Sequence, residues 1–179
     1  GIHFCLATTS IDGTVLPDPG IDRIDMRGKG FYTGTFKGFL TSELDQNVKP
    51  STSWDPNYNL NIWVTDLKTL QGTARVDGLL GYAYFPGFST LPGINSAYDN
   101  LNSYLDGVGI DYKAVGSSPT NGRTATHEIG HWLGLRHIWG DNGQCNGTDY
   151  CDDTPKQYGG TSEPAGANFG CPTYPYNAN

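Results

Sequence analysis

The sequence predicts an α+β fold from three observations: short period-two strand patterns before residue 115, one helical pattern at 123–135, and a remainder without long periodic elements. In chain order, Ile2, Phe4 and Leu6 alternate with His3 and Cys5, the pattern of a half-buried strand. Residues 26–38 hold Gly28, Gly30 and Gly34, spaced GxGxxxG where a dinucleotide-binding turn needs GxGxxG, and no helical pattern follows, so this stretch reads as a loop. Leu60, Ile62 and Val64 alternate with Asn61, Trp63 and Thr65 in a second strand. Residues 79–85 form a third candidate, closed by Pro86 and Gly87, and 107–112 a fourth. After the breaker Pro119, Ala125, Ile129, Trp132 and Leu133 recur at three- and four-residue intervals and give a helix an apolar stripe, with Gly134 as its stop.

Composition narrows the function classes. The 179 residues carry 11 basic and 18 acidic side chains, a formal charge of -7, which argues against a nucleic-acid partner because phosphate binding draws on clustered Lys and Arg. No apolar run approaches the roughly 18 residues of a membrane helix. With 12% aromatic residues the chain can build a core, in one domain or in two lobes. The single methionine, Met26, and an opening at Gly1 without a charged-then-apolar leader read as a processed or trimmed chain. Four cysteines without a Cys-x-x-Cys pair argue for disulfides and an oxidising compartment, with free buried thiols as the other reading.

Three of the four histidines fall within eleven residues, in His127-Glu128-Ile129-Gly130-His131-Trp132-Leu133-Gly134-Leu135-Arg136-His137. At about 100° per residue His127 and His131 stand about 40° apart on one helix face, near enough to share one ion. His137 would point about 240° away on an unbroken helix. A left-handed turn at Gly134 lets the chain double back and deliver it. Three neutral imidazoles leave a tetrahedral zinc ion one open position for water, the arrangement of a catalytic rather than a structural site. Glu128, beside His127 but offset from the metal, is expected to act as general base and then as proton donor to the leaving amine in peptide-bond hydrolysis. No GxSxG elbow supports a serine nucleophile, and the isolated His3 reads as a strand-surface residue. Asn146-Gly147-Thr148 fits the glycosylation acceptor pattern.

The motif HExxHxxGxxH is the metzincin signature. Its flanks, Gly122 to Thr126 before it and Ile138-Trp139-Gly140-Asp141 after it, with Asp152-Asp153-Thr154-Pro155 and Gly170-Cys171-Pro172 further on, resemble the pappalysin (cytophagalysin) family. So do Ile2-His3-Phe4-Cys5, Trp54-Asp55-Pro56-Asn57, Leu60 to Val64 and Leu80-Gly81-Tyr82-Ala83, so the likeness covers most of the chain. It implies a metzincin-like zincin: a twisted mixed sheet, an active-site helix with zinc on His127, His131 and His137, Glu128 as the catalytic glutamate, and secretion as a zymogen. The expected division is an N-terminal subdomain, 1–134, and the start of a C-terminal subdomain, 135–179.

Further roles follow from the same likeness. Gly81, Tyr82, Ala83 and Tyr84 match the edge strand along which an extended substrate lies, the other reading being an ordinary core strand. Asp149, Asp152, Asp153 and Thr154 lie where the family's loop binds calcium, and an acidic solvated loop is the alternative. Cys145 and Cys171 match a family disulfide, which leaves Cys5 to pair with Cys151. The family's Met-turn has no counterpart before Asn179, and its first strand and first helix should precede Gly1, so missing flanks are expected partners of this piece. The leading expectation is a secreted zinc endopeptidase acting on protein or peptide substrates. The competing one is a catalytically incomplete zinc- and calcium-binding module, and a third is a zinc hydrolase of another substrate such as a deacetylase.

Overall fold

The computed structural model describes residues 1–26, 29, 37–86, 89–92, 94, 102–116, 122–142, 145–160 and 171. Gly28, Gly30 and Gly34 of the glycine loop, Gly87, Pro119, Gly170 and Pro172 lie outside these. Two three-stranded sheets hold the framework. In the first, β1 (Phe39–Leu40) runs parallel to β3 (Leu67–Gln71), which pairs antiparallel with β4 (Ala74–Val76). In the second, β2 (Ile62–Thr65) runs parallel to the central β6 (Val108–Asp111), and β5 (Gly81–Ala83) closes the other side antiparallel. The chain crosses from one sheet to the other at Asp66, between β2 and β3. The buried Asp111 ties the two together: its Oδ2 accepts from the Leu67 amide at 2.9 Å and its Oδ1 from the Lys113 amide at 2.8 Å.

A helical segment precedes the second sheet: α1 (Thr41–Glu43), a π-helical stretch at Leu44–Val48, and α2 (Lys49–Thr52). Pro50 stands in the first turn of α2, and a proline has no N–H to give to the turn before it, which accounts for the widening there. Two apolar clusters result. Phe39, Leu44, Val48 and Leu67 pack beneath Trp63, Leu79 and Tyr82. Val108, Ile110 and Ala114 pack against Ala83 and the helix α3 (Arg123–Trp132) through Ala125, Ile129 and Trp132, the stripe read from the sequence.

Two strand expectations are corrected. Residues 1–7 join no ladder among the described residues, and Ile2, Phe4 and Leu6 are 67%, 58% and 72% exposed. Alternation marks an amphipathic strip, and a strand also needs a partner to pair with; among the described residues the first 25 make the isolated bridges Thr9 with Val15 and Asp18 with Ile21. The strand at 62–65 exists, but its phase is inverted: Ile62 and Val64 are exposed while Trp63 turns inward. Trp63 fits that face because its Nε1 donates to Thr52 Oγ1 at 2.9 Å and its ring covers the helical segment. The helix is also shorter than read, ending at Trp132, with Leu133 as its exposed cap.

Candidate metal centre

Gly122, left-handed at φ 73°, starts α3, which lies against β5 and β6. The indole Nε1 of Trp132 fixes the far end by donating to Asp106 Oδ1 at 2.6 Å. The helix then stops in a Schellman motif: the Gly134 amide donates to the His131 carbonyl at 2.8 Å and the Leu135 amide to the Gly130 carbonyl at 2.9 Å, with Gly134 at φ 96°. This reversal is the turn the sequence demanded of Gly134. It swings His137 back over the helix.

His127, His131 and His137 meet through their Nε2 atoms, with separations of 3.0, 3.1 and 3.2 Å. Tetrahedral donors about 2.0–2.1 Å from zinc stand about 3.3 Å apart, so the triangle fits that ion with little adjustment. The opposite nitrogens are committed. His131 Nδ1 lies 2.8 Å from the Leu135 carbonyl oxygen, and His137 Nδ1 lies 2.6 Å from Asp141 Oδ1. Each of those contacts needs a proton on Nδ1, which leaves a lone pair on Nε2 aimed at the centre. Two lone pairs 3.1 Å apart repel unless a cation lies between them. Burial, and then the neighbouring rings, hold His127 below its ordinary pKa, and burial does the same to His131, so both favour the neutral form a metal requires. His137 is further braced by Trp139, stacked at 4.2 Å between ring centres.

Glu128 follows His127 directly on α3, offset from the triangle round the helix, and is 7% exposed. Burial pushes its carboxyl up to about 7. A side chain at Gly81 would come within 2.8 Å of Glu128 Cγ, so the helix and β5 approach as closely as they do because residue 81 has no Cβ. An open cavity of about 470 Å³ lies there, walled by Leu80 and Gly81 on one side and by Thr124, His127 and Glu128 on the other. Gly81, Tyr82 and Ala83 form β5, with Tyr84 just beyond; among the described residues the strand is at the edge of its sheet.

Other site residues fare differently. Among the described residues, the histidine triad is the one group of three or more His, Cys, Asp or Glu side chains with donor atoms within 4.8 Å of one another, so Asp149, Asp152 and Asp153 do not converge. Asp149 Oδ1 instead accepts from the Cys151 amide at 3.0 Å, and the Thr154 amide donates to the Cys151 carbonyl at 3.2 Å. Cys145 and Cys171 are bonded across 26 residues. The pairing of Cys5 with Cys151 is corrected: both thiols are free and exposed. Cys5 lines a cavity beside Trp54, Leu60 and Ile62, whereas Cys151 belongs to the turns after the metal centre. The sequence reading gave Asp141 no role in the site, although it stands four residues beyond His137 in the flank Ile138-Trp139-Gly140-Asp141.

A helix bearing two histidines, a third returned by a glycine turn, and a buried glutamate beside an edge strand together make up the HExxHxxGxxH site of the metzincin class. The chain belongs to peptidase family M43, described as pregnancy-associated plasma protein-A, whose profile matches residues 43–178. It is 43% identical to an extracellular metalloprotease of Podospora anserina over 96% of this chain and 57% of that protein. It is 44% identical to an extracellular metalloprotease of Neurospora crassa over 52% of this chain and 29% of that one. Mature mirolysin of Tannerella forsythia, solved with a cleaved peptide, superposes with a TM-score of 0.59 at 35% identity, over 87% of this chain and 51% of that chain. The mixed α+β architecture is thus that of mirolysin, and this chain spans roughly half the length of such relatives. Among the described residues no helix is long and apolar enough to cross a membrane.

Proposed function

We propose that this chain carries the catalytic centre of a secreted zinc endopeptidase that hydrolyses peptide bonds in proteins or peptides. The observation that carries the reading is the triangle of Nε2 atoms, 3.0 to 3.2 Å on its sides, with the buried Glu128 next to His127 on the same helix. His127, His131 and His137 would hold the zinc. Zinc so held supplies a Lewis acid that makes water a nucleophile near neutral pH and polarises the substrate carbonyl.

The remaining work falls to the chain's own groups. Glu128 takes a proton from the attacking water on a carboxylate oxygen and returns it to the departing amine. Its seclusion between α3 and β5 suits this exchange, because it limits the bulk water that could compete for the proton. Gly81, Tyr82, Ala83 and Tyr84 offer their backbone edge to an extended peptide, which binds as an added strand. Asp149, Asp152, Asp153 and Thr154 are proposed as a calcium-binding loop, supported by their oxygen-rich chemistry and the likeness of the surrounding motif. Secretion is supported by the extracellular relatives and by the Cys145–Cys171 disulfide. The proposed subdomain boundary falls at the Gly134 turn, between 1–134 and 135–179.

A peptide-cleavage assay with the full-length protein tests the reading. Activity abolished by a chelator, restored by zinc and absent from Glu128→Ala is expected. Full activity in chelator, or in Glu128→Ala, would overturn it, and a silent protein that still binds zinc would point to a binding module.

A further inference from the structure

Beneath β5, on the face away from the metal centre, lies a buried charge that the reaction does not use. The Lys49 side chain is 0% exposed, and its Nζ stands 2.8 Å from Asp45 Oδ1 one helical turn earlier. Three aromatic rings enclose the ammonium group, those of Trp63 at 4.7 Å, Tyr82 at 4.6 Å and Tyr84 at 4.9 Å. Nζ also points to the Leu105 carbonyl at 3.5 Å. Asp45 is shared: the Tyr82 hydroxyl donates to its Oδ1 at 2.7 Å and the Tyr84 hydroxyl to its Oδ2 at 2.6 Å. A leucine at position 49 would fill the same space without a charge to desolvate, so the ion pair is best understood by what it holds.

Its two tyrosine partners sit in β5 and just beyond its end. Among the described residues this strand has three residues in its ladder and one paired side, so backbone hydrogen bonds specify its position weakly. Tyr82 and Tyr84 are two apart and share the lower face, where Asp45 takes one hydroxyl on each carboxylate oxygen. Gly81 and Ala83 take the upper face, Ala83 against the cluster under α3 and Gly81 against Glu128. Across the ladder Tyr82 pairs with Gly109, and a Cβ on Gly109 would collide with the Tyr82 ring. A slip of one residue would drive tyrosines into α3 and turn glycine and alanine toward the ion pair.

We propose that Asp45 and Lys49 are positioning residues for the peptide substrate: by clamping Tyr82 and Tyr84 from below, they set the register and height at which the free edge of β5 meets an extended chain beside His127 and Glu128. This rests on the proposed role of β5 as the substrate strand. It assigns the two residues no contact with the reacting atoms and no part in holding zinc.

The test uses Tyr82→Phe and Tyr84→Phe, singly and combined, in the full-length protein, since each removes one hydroxyl and keeps the ring; Asp45→Asn is the stronger variant. Three quantities are read: KM and kcat for an extended peptide, anisotropy binding of a labelled uncleaved peptide to the Glu128→Ala background, and zinc content. Loss of hydrogen bonds to a charged group should raise KM and weaken peptide binding about tenfold in the double variant, with kcat and zinc content nearly unchanged. Variants that melt earlier but bind and cleave as the parent does would overturn the proposal, leaving the cluster a structural one. A parent that binds peptide without cleaving it would end the peptidase reading while binding still decides this one. A parent that does neither would end both.

Discussion

Asp141 Oδ1 lies 2.6 Å from His137 Nδ1, and this contact decides which nitrogen of the third imidazole faces the other two. Asp141 reaches that place from a left-handed backbone at φ 56°, a conformation that Asp and Asn tolerate better than most residues. Asp141→Ala should therefore weaken zinc binding about 10- to 100-fold, the usual cost of losing such a partner, and Asp141→Asn by less because its amide oxygen still accepts. Competition with a chromophoric chelator measures both. Equal affinity in all three proteins would remove Asp141 from the centre.

Gly134→Ala tests the turn that returns His137. At φ 96° an alanine is strained by about 1–2 kcal/mol, and its Cβ would come within 2.5 Å of Leu91 Cδ1. The variant should melt several degrees lower and bind zinc more weakly. An unchanged Tm with full zinc content would show that the reversal does not depend on glycine.

Acid stability should depend on a pair remote from the metal. Arg75 Nη1 donates to Glu43 Oε2 at 2.6 Å, its Nη2 bonds the other oxygen, and the Leu40 amide donates to Oε2 at 3.0 Å. These bonds, the Arg75 guanidinium first, hold the Glu43 carboxyl below its ordinary value of 4.5. A carboxyl lowered on folding stabilises the folded state above its unfolded pKa, and the benefit disappears as pH falls through the folded one. Glu43→Gln should thus cost stability near neutral pH and converge with the parent as pH falls below 4.5 and through the lower folded value. Denaturant titration across that range measures the difference, and parallel curves down to pH 3 would contradict it.

Calcium bound by the folded protein alone raises Tm by mass action. At millimolar calcium the parent should melt higher than in magnesium, and Asp152→Asn with Asp153→Asn should lose the gain. No shift in the parent would remove the proposed calcium loop.

The parts legible in the sequence were those fixed by short chain intervals. His127 and His131 share a face by helical period alone, and Gly134 carries the reversal that His137 requires. What stayed hidden depends on neighbours distant in the chain. Alternation at 62–65 announces a strand without saying that Trp63, rather than Ile62 and Val64, meets the helical segment. At residues 2–6 the same pattern finds no partner strand among the described residues. Lys49 looks like a surface charge until Trp63, Tyr82 and Tyr84 close round it. The Cys145–Cys171 bond came from family likeness, and counting the remaining thiols could not tell that Cys5 and Cys151 stay apart.

The most direct test of the metal centre is an anomalous difference map at the zinc absorption edge, from crystals of the full-length protein. The arrangement of His127, His131 and His137 predicts a single strong peak within bonding distance of all three Nε2 atoms, lost in His137→Ala crystals. A peak held by other residues, or one that persists undiminished without the His137 imidazole, would contradict it.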